Sequence, residues 1–518
     1  MHTLKKFTEN IGWLIIGTII SNIISIIVSI VIIRKLKVED YGIYSLFIGS
    51  LSILSIFSIN GILLALRRFI PEIIQKQYFS FHKSLIIKLY FISLIVTFII
   101  VLIVFQFKKE VGVILNINQF EVYYSIFIIN IFLYLQTTLS QDILSSLFEQ
   151  KFIAITSVLG MLARGVLYSI FFTNLTIDLI FIIEALCIGV RGIPSIIYLF
   201  IRIQNLAKHK NSDINAEEKK VIQKRISRYA LLSTANEIGE GGFSQVSDYY
   251  FISAFLGPFF MGLYAFPYRL LSSIFSWVPI EKINNIFKPY FINKYYEKNE
   301  DPAYLTSMFN FLFKIYFLFF GMLIVLIISY QKLINIYLFN SKYLETQLLL
   351  AVVLFFYIFN ALGYPTHIII EVKEKIEYTL YAKVFAVFNV LAVIFVLKFT
   401  DWNLLGVALA TGISKYLRFY YLYLIIKKMS KVKILLPGLL KSSSLIIISG
   451  IFMFLMSLID NLFIQLILPM LVGIILFLVL YRLIKPFNNS EEILLSNFLN
   501  RFSIKMNVIS KILALQHS

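Results

Sequence analysis

Three arginines lie well inside long apolar stretches of the sequence. They are Arg164 in GMLARGVLYS, Arg191 in CIGVRGIPS and Arg269 in GLYAFPYRLLSS. An arginine keeps its charge at any ordinary pH, and its planar guanidinium matches the oxygens of a phosphate. Counted from the ends of their apolar stretches, the three arginines have a similar depth. This pattern predicts a cavity that binds an anionic group.

Three glutamates lie in similar apolar surroundings. Glu237 and Glu240 are close enough in STANEIGEGGFSQVSDYYF to share one face of a helix, and Glu184 precedes Arg191 by about two helical turns. A carboxylate at the centre of a bilayer costs on the order of 3 kcal/mol, so these groups must face a bundle interior or a water-filled cavity. One interpretation makes Glu240 the counter-charge of Arg269, and likewise pairs Glu184 with Arg191. The other makes Glu237 and Glu240 the site of a coupling H+ or Na+. We favour counter-charges.

Other kinds of chemistry have little support in the sequence. Cys187 is the only cysteine, which excludes an intramolecular disulfide and a cysteine-based zinc site, and its apolar surroundings predict a buried side chain. None of the five histidines has a partner at metal-ligand spacing, and no G-x-x-x-x-G-K-[ST] phosphate loop occurs. We therefore predict no catalytic residues, no metal site and no cofactor apart from a coupling ion.

The elements that hold these residues are membrane spans. Of the 518 residues, 59% are hydrophobic and 14% charged, whereas charged residues make up about a quarter of a typical soluble chain. About 14 apolar stretches are long enough to cross a hydrocarbon core of about 30 Å. The sequence thus predicts an all-α polytopic membrane protein. The net charge of +19 does not indicate nucleic-acid binding, because the basic residues fall mainly in short connections between these stretches.

The spans form two groups of six and a final pair. The predicted parts are a six-helix bundle over 1–206, a basic cytoplasmic linker over 207–228, a second six-helix bundle over 229–430, an additional helix pair over 431–485 and a cytoplasmic tail over 486–518. Most lysines and arginines fall in connections on one side, which the positive-inside rule assigns to the cytoplasm together with both termini. The basic RKLKVEDYG connection is an exception. The seventh span, 229–255, holds the glutamate pair, and its glycines allow either close helix packing or a local break.

A short internal repeat joins the first and second spans of each half. LKVEDYGIYSL begins at Leu36, LGPFFMGLYAF begins at Leu256, and both read L-x5-G-[IL]-Y. An even number of spans per half makes the repeats parallel, related by an axis along the membrane normal. Two such bundles facing each other are typical of a secondary transporter that works by alternating access.

Three motifs resemble those of a known family. IIRKLKVEDYGIYSL (Ile32–Leu46) has an arginine-leucine stretch before a Tyr-Gly-x-Tyr join, and SINGILLALRRFIPE (Ser58–Glu72) has a glycine and a terminal basic pair. DYYFISAFLGPFFMGLYAFPYRL (Asp248–Leu270) has an aspartate, a glycine and then a Gly-x-Tyr-x5-Leu pattern. The residues of these family-like joins are Gly42, Tyr44, Asp248, Gly262 and Tyr264. The chain resembles the Wzx-type polysaccharide flippases, within the superfamily that also holds multidrug and toxic-compound extruders and lipid II flippases.

The resemblance implies a flippase that moves a polyprenyl-diphosphate-linked oligosaccharide from the inner to the outer leaflet of the bacterial inner membrane. Its implied partners are that lipid-linked glycan, membrane lipids and other polysaccharide-assembly proteins, and it is not an enzyme. The mid-depth arginines suit a diphosphate-sugar head group. The two glutamates of the seventh span depart from the family pattern, because acids in a cavity also suit a cationic drug or a coupling ion.

Two alternatives to a flippase remain open. A cation-coupled multidrug extruder of the same fold would use the glutamates as its cation site. An integral glycosyltransferase or polymerase is disfavoured, because such an enzyme is expected to carry a sizeable outer loop and the outward connections of this sequence are short.

Overall fold

A computed structural model of the chain describes residues 2–76, 78–147, 149–206, 214–275, 301–373, 377–459 and 462–489, together with the single positions 208, 295, 297, 375, 491, 492 and 494. Within these residues every regular element is a helix. The chain divides into two compact units, Met1–Trp277 with Val393–Leu404, and Val278–Ala392 with Leu405–Ser518. The predicted bundle, linker, helix-pair and tail boundaries stay a prediction.

The described residues before position 276 form eleven α-helices. They are α1 His2–Lys35, α2 Val38–Ser55, α3 Gly61–Gln75, α4 Phe79–Gln106, α5 Lys108–Ile114, α6 Phe120–Ser146, α7 Gln150–Ile170, α8 Ile177–Leu206, α9 Ala216–Gly241, α10 Gln245–Leu256 and α11 Pro258–Phe275. A π-helical turn, Ile56–Asn60, links α2 and α3 into one apolar segment, Val38–Ile70. Such turns insert an extra residue into a helix and occur often at functional sites.

The later helices begin at Pro302. They are α12 Pro302–Leu333, α13 Gln347–Val372, α14 Glu377–Tyr381, α15 Val384–Phe399, α16 Asn403–Ser430, α17 Leu436–Ser457 and α18 Leu462–Ile484. A π-helical turn, Ile334–Leu338, and a 3-10 turn, Leu344–Thr346, lie between α12 and α13. Asp301 caps the start of α12, where its side chain accepts from the backbone N–H groups of the first turn.

Eleven helical segments in the described ranges are long and apolar enough to cross a membrane. Each coincides with a predicted span, so the all-helical multi-pass membrane fold is confirmed. The three other predicted spans, 229–255, 257–281 and 403–424, stay predictions. Helices α9, α10, α11 and α16 cover most of them, but polar residues such as Lys415 and Arg418 lower their mean hydropathy.

The seventh predicted span is broken rather than continuous. α9 ends at Gly241 and α10 begins at Gln245. The glycines allowed either close helix packing or a local break in the helix, and the structure has the break. Ser244 caps the new helix, because its Oγ accepts from the backbone N–H of Val246 at 3.1 Å. α9 itself begins at Ala216, so the described end of the predicted linker 207–228 is helical.

α9 packs along α3. A Cβ on Gly61 would collide with α9, so glycine is what lets the two backbones approach. Apolar side chains of α3, α4 and α9 form a buried cluster: Ala65, Phe69, Ile73, Phe81, Leu85, Ile222 and Ile226. Beyond the cluster, Lys76 Nζ lies 3.0 Å from Glu218 Oε1, and the Tyr78 hydroxyl donates to Glu218 Oε2 at 3.0 Å.

The two repeat joins contact each other. Gly42 in α2 and Gly262 in α11 hold equivalent positions in the repeat. A Cβ on Gly42 would collide with the carbonyl oxygen of Pro258, and a Cβ on Gly262 would collide with the carbonyl oxygen of Val38. Val38 and Pro258 are also equivalent, so the start of each helix meets the glycine of the other. Only glycine permits this approach of two backbones.

Candidate anion-binding cavity

The first compact unit contains a cavity of about 210 Å³ that brings the three predicted arginines together. It is bounded by residues of α1, α2, α6, α7, α8 and α11. Its polar and charged lining residues are Ser25, Tyr44, Tyr134, Ser157, Arg164, Glu184, Cys187, Arg191 and Arg269. The sequence placed these arginines at a similar depth, and the structure puts them around one space.

Arg164 in α7 forms a buried ion pair with Glu184 in α8. Its Nε and Nη2 donate to Glu184 Oε1 at 2.9 and 2.6 Å, and each side chain is 10% exposed. The Tyr168 hydroxyl donates to the same oxygen at 2.8 Å, and Arg164 Nη2 donates to the Tyr44 hydroxyl at 3.4 Å. The charge of Arg164 is therefore neutralised within the protein, by a buried pair that two tyrosine hydroxyls support.

Glu184 pairs with Arg164 in the structure, whereas one interpretation of the sequence paired it with Arg191. Residues 184 and 191 are on the same helix, about 10.5 Å apart along its axis. Arg164 reaches Glu184 from the neighbouring helix, where Gly160 lets α7 approach α8: a Cβ on Gly160 would lie 2.9 Å from Arg191 Cβ. Close packing at Gly160 brings the next turn of α7, which carries Arg164, against Glu184.

Arg191 lines the cavity and has a buried donor, Nε, that makes no hydrogen bond in the described residues. A guanidinium cannot lose its proton, so a buried unsatisfied donor of this kind favours an anionic or polar ligand. Arg191 is thus the clearest ligand-binding candidate among the three arginines.

Arg269 approaches the cavity from α11. Its Nη2 donates a short hydrogen bond to Ser29 Oγ in α1, a neutral partner that leaves the arginine charge uncompensated by that contact. Pro267 lies two residues earlier inside the same helix, where it removes a backbone donor. Among the lining residues, three guanidiniums and one carboxylate leave a formal charge of +2, obtained as three minus one.

Glu237 and Glu240 are not among the residues that line this cavity. Both are half-buried in the last turns of α9. Asn60, the last residue of the π-helical turn before α3, donates from Nδ2 to Glu237 Oε2 at 3.2 Å. Glu237 therefore contacts the π-helical turn of the second span, and the role of the glutamate pair as coupling site or counter-charge stays a prediction.

The aspartate of the family-like join is fully buried. Asp248 lies in the first turn of α10, and the Tyr264 hydroxyl donates to its Oδ2 at 2.8 Å. The Tyr264 and Tyr268 hydroxyls are 3.3 Å apart. Tyr44, which occupies the place of Tyr264 in the first repeat, instead accepts from Arg164. The two joins thus share their backbone contact and differ in what their tyrosines bind.

Sequence reasoning missed several partners of the candidate arginines and glutamates. Tyr168 follows Arg164 by one helical turn, a spacing that signals a shared face. Ser29 gave no signal, because it is 240 positions from Arg269 in the chain. Asn60 gave none either, since its contact depends on the π-helical turn that places it against Glu237.

Comparison with known proteins places the chain in a family. Residues 7–279 match the family described as "Polysaccharide biosynthesis protein". No curated protein sequence matches the chain. The fold is similar to that of a lipid II flippase MurJ in an inward closed conformation, with a TM-score of 0.64, 18% identity, and coverage of 91% of this chain and 98% of that one.

Two multidrug transporter structures are also similar. An inward-facing MATE family transporter of the MOP superfamily gives a TM-score of 0.62 at 15% identity, covering 80% of this chain and 95% of that one. An outward-facing MATE family structure gives 0.54 at 16% identity, covering 82% and 95%. These likenesses show a shared fold. The chain belongs to the polysaccharide biosynthesis protein family, and it shares its fold with membrane transporters of the MOP superfamily.

Proposed function

We propose that this protein moves a polyprenyl-diphosphate-linked oligosaccharide, a polysaccharide repeat unit, from the inner to the outer leaflet of a bacterial inner membrane by alternating access. The proposal includes about 14 spans in two six-helix bundles and a final pair, with both termini in the cytoplasm. Membership of a polysaccharide biosynthesis family supports the substrate class. Other polysaccharide-assembly proteins are its expected partners.

The proposal rests on the cavity, and above all on one observation, the unsatisfied buried donor of Arg191. Its buried Nε has no hydrogen-bond partner in the described residues, and Arg269, which lines the same cavity, donates to a neutral serine. Two such guanidiniums suit the two phosphates of a diphosphate, each by a charge-assisted hydrogen bond. The polyprenyl chain stays in the bilayer, where burial of its apolar surface costs nothing further.

We further propose that Glu237 and Glu240 are a coupling site rather than counter-charges, because neither lines the cavity that holds the arginines. They lie near the break between α9 and α10, and Glu237 contacts the π-helical turn of the second span through Asn60. Carboxylates beside discontinuous membrane helices commonly bind H+ or Na+ in secondary transporters. Binding of the ion at this position would drive the return step, with the head-group site and the ion site on separate side chains.

Deletion and complementation test this function. In a strain that lacks the gene, we expect the lipid-linked glycan to accumulate on the inner leaflet and the surface polysaccharide to be lost. Arg191→Gln and Arg269→Gln are each expected to lower export at least about tenfold, since each loses a charge-assisted contact of about 1.5–3 kcal/mol. Arg482→Gln, which removes an exposed arginine from the last turn of α18, is the matched control and should export normally. Wild-type export by both cavity variants, at wild-type protein level, would refute the arginine site.

A second candidate is a cation-coupled multidrug extruder, favoured by the half-buried acidic pair Glu237 and Glu240. Drug susceptibility of the deletion strain separates the two functions. Loss of surface glycan without sensitisation to cationic drugs supports the flippase, whereas sensitisation with normal surface glycan supports extrusion.

A further inference from the structure

Glu184 controls how many positive charges the cavity offers to a ligand. We propose that Glu184 is a specificity-determining residue that restricts the head group to a diphosphate whose nearest sugar is uncharged, and that it disfavours sugars bearing a carboxylate. The inference rests on the proposed flippase function and deepens it, because it names the charge class of the substrate at the same site.

The charge of the lining matches one kind of head group. Three arginines and Glu184 leave the lining residues with a formal charge of +2. A diphosphate esterified at both ends has one ionised oxygen on each phosphorus, and therefore a charge of about −2 at neutral pH, since such acidic oxygens titrate far below pH 7. A neutral sugar adds nothing to this balance. A sugar with a carboxylate adds a third negative charge, which the lining leaves uncompensated.

Arg164 is paired with Glu184, so only Arg191 and Arg269 are available to bind a ligand. Both guanidinium donors that reach Glu184 end on one carboxylate oxygen, at 2.9 and 2.6 Å, and the Tyr168 hydroxyl reinforces that oxygen at 2.8 Å. A sugar carboxylate that bound Arg164 would have to displace this buried pair and leave Glu184 without its counter-charge, which is strongly unfavourable. Arg191 and Arg269 have no carboxylate among their described hydrogen-bond partners, and they remain for the two phosphates.

The size of the cavity indicates that the first sugar lies close to the charged lining residues. Its volume of about 210 Å³ lies below the range of roughly 300–1,000 Å³ that encloses a drug-sized ligand. It suits a diphosphate and the start of a sugar, and it is too small for a whole oligosaccharide. The charge of the first sugar therefore falls inside or beside the cavity, where the side chains are largely removed from water and an uncompensated charge is costly.

Two probes that differ by one carboxylate test the proposal. They are farnesyl diphosphoglucose and farnesyl diphosphoglucuronic acid, with binding to the full chain in lipid nanodiscs measured by calorimetry at pH 7.5. We expect the wild type to bind the glucose probe at least about tenfold more tightly, because one uncompensated charge at a few ångströms is worth at least that factor. Glu184→Gln is expected to shift the ratio of the two Kd values by about tenfold towards the glucuronate probe, since Arg164 then becomes available.

A double variant separates charge from other effects of Glu184. Arg164→Gln with Glu184→Gln restores the formal lining charge to +2 and should keep the wild-type ratio. A ratio near one in the wild type, an unchanged ratio in folded Glu184→Gln, or an equal shift in the double variant would overturn the inference. These outcomes leave the flippase function standing as long as Arg191→Gln and Arg269→Gln weaken both probes. That function fails instead if neither probe binds to the wild type or if these two variants bind both normally.

A lining serine tests the same idea without touching the ion pair, in case Glu184→Gln does not fold. Ser157 lines the cavity, and Ser157→Asp lowers the formal lining charge to +1. We expect this variant to bind the glucose probe about tenfold more weakly, whereas the neutral variant Ser157→Asn changes its Kd by much less. Equal binding of the glucose probe by both serine variants would contradict control by lining charge.

Discussion

Lys314 and Glu491 form a buried ion pair whose disruption gives a sharp test of the structure. Lys314 is in α12, and its Nζ lies 2.7 Å from Glu491 Oε2 and 3.0 Å from the carbonyl oxygen of Pro486, beyond the end of α18. The side chains are 3% and 0% exposed. The Asn488 backbone N–H also donates to Glu491, so the segment after the last span is fastened to α12.

Removal of one partner leaves an uncompensated buried charge. We expect Glu491→Gln or Lys314→Met to lower the apparent free energy of unfolding by about 3–5 kcal/mol. The double variant Lys314→Met with Glu491→Leu removes both charges and should recover most of this loss, because well-packed apolar replacements of buried pairs are often nearly neutral. Unfolding in mixed detergent micelles, followed by tryptophan fluorescence and circular dichroism, measures both effects.

An exposed ion pair supplies the matched control. Lys375 Nζ lies 3.6 Å from Glu377 Oε1, and the two side chains are 54% and 45% exposed. Lys375→Met should therefore cost less than about 1 kcal/mol. If Glu491→Gln costs no more than this control, the tail segment is not held in a buried environment and the reasoning is refuted.

Two further predictions concern other contacts of the first unit. Gly42→Ala should destabilise the protein by about 1–3 kcal/mol, because the added Cβ has no space between the two joins. Gly363→Ala is the control and should have little effect, since its Cβ would have no neighbour closer than 4.0 Å. Equal thermal stability of the two variants would contradict the close contact. Hydrogen bonds from Lys76 and Tyr78 lower the pKa of the Glu218 carboxyl from its ordinary value of 4.5, so their stabilisation is present at neutral pH and is lost as the pH falls through the lowered pKa. Hydrogen exchange at the end of α3 should increase in that acidic range in the wild type and be independent of this titration in Glu218→Gln.

The sequence predicted those features of the structure that depend on local properties of the chain. The length of apolar stretches predicted the membrane helices, and the depth of Arg164, Arg191 and Arg269 predicted that they share a space. The partner of Glu184 was not predictable, because it depends on how closely α7 approaches α8 at Gly160. The partner of Lys314 was not predictable either, since Glu491 lies 177 positions away in the chain.

The contact between the two repeat joins has a consequence for how these sequences can diverge. Gly42 and Gly262 each meet a main-chain oxygen, not a side chain, of Pro258 and Val38. Residues 38 and 258 are therefore free to differ in type, as valine and proline do here, while both glycines are fixed. An insertion or deletion between position 38 and Gly42 would move one half of the contact out of register with the other. Changes of length here are tolerable only in matched pairs, so the two distant segments are constrained to evolve as one.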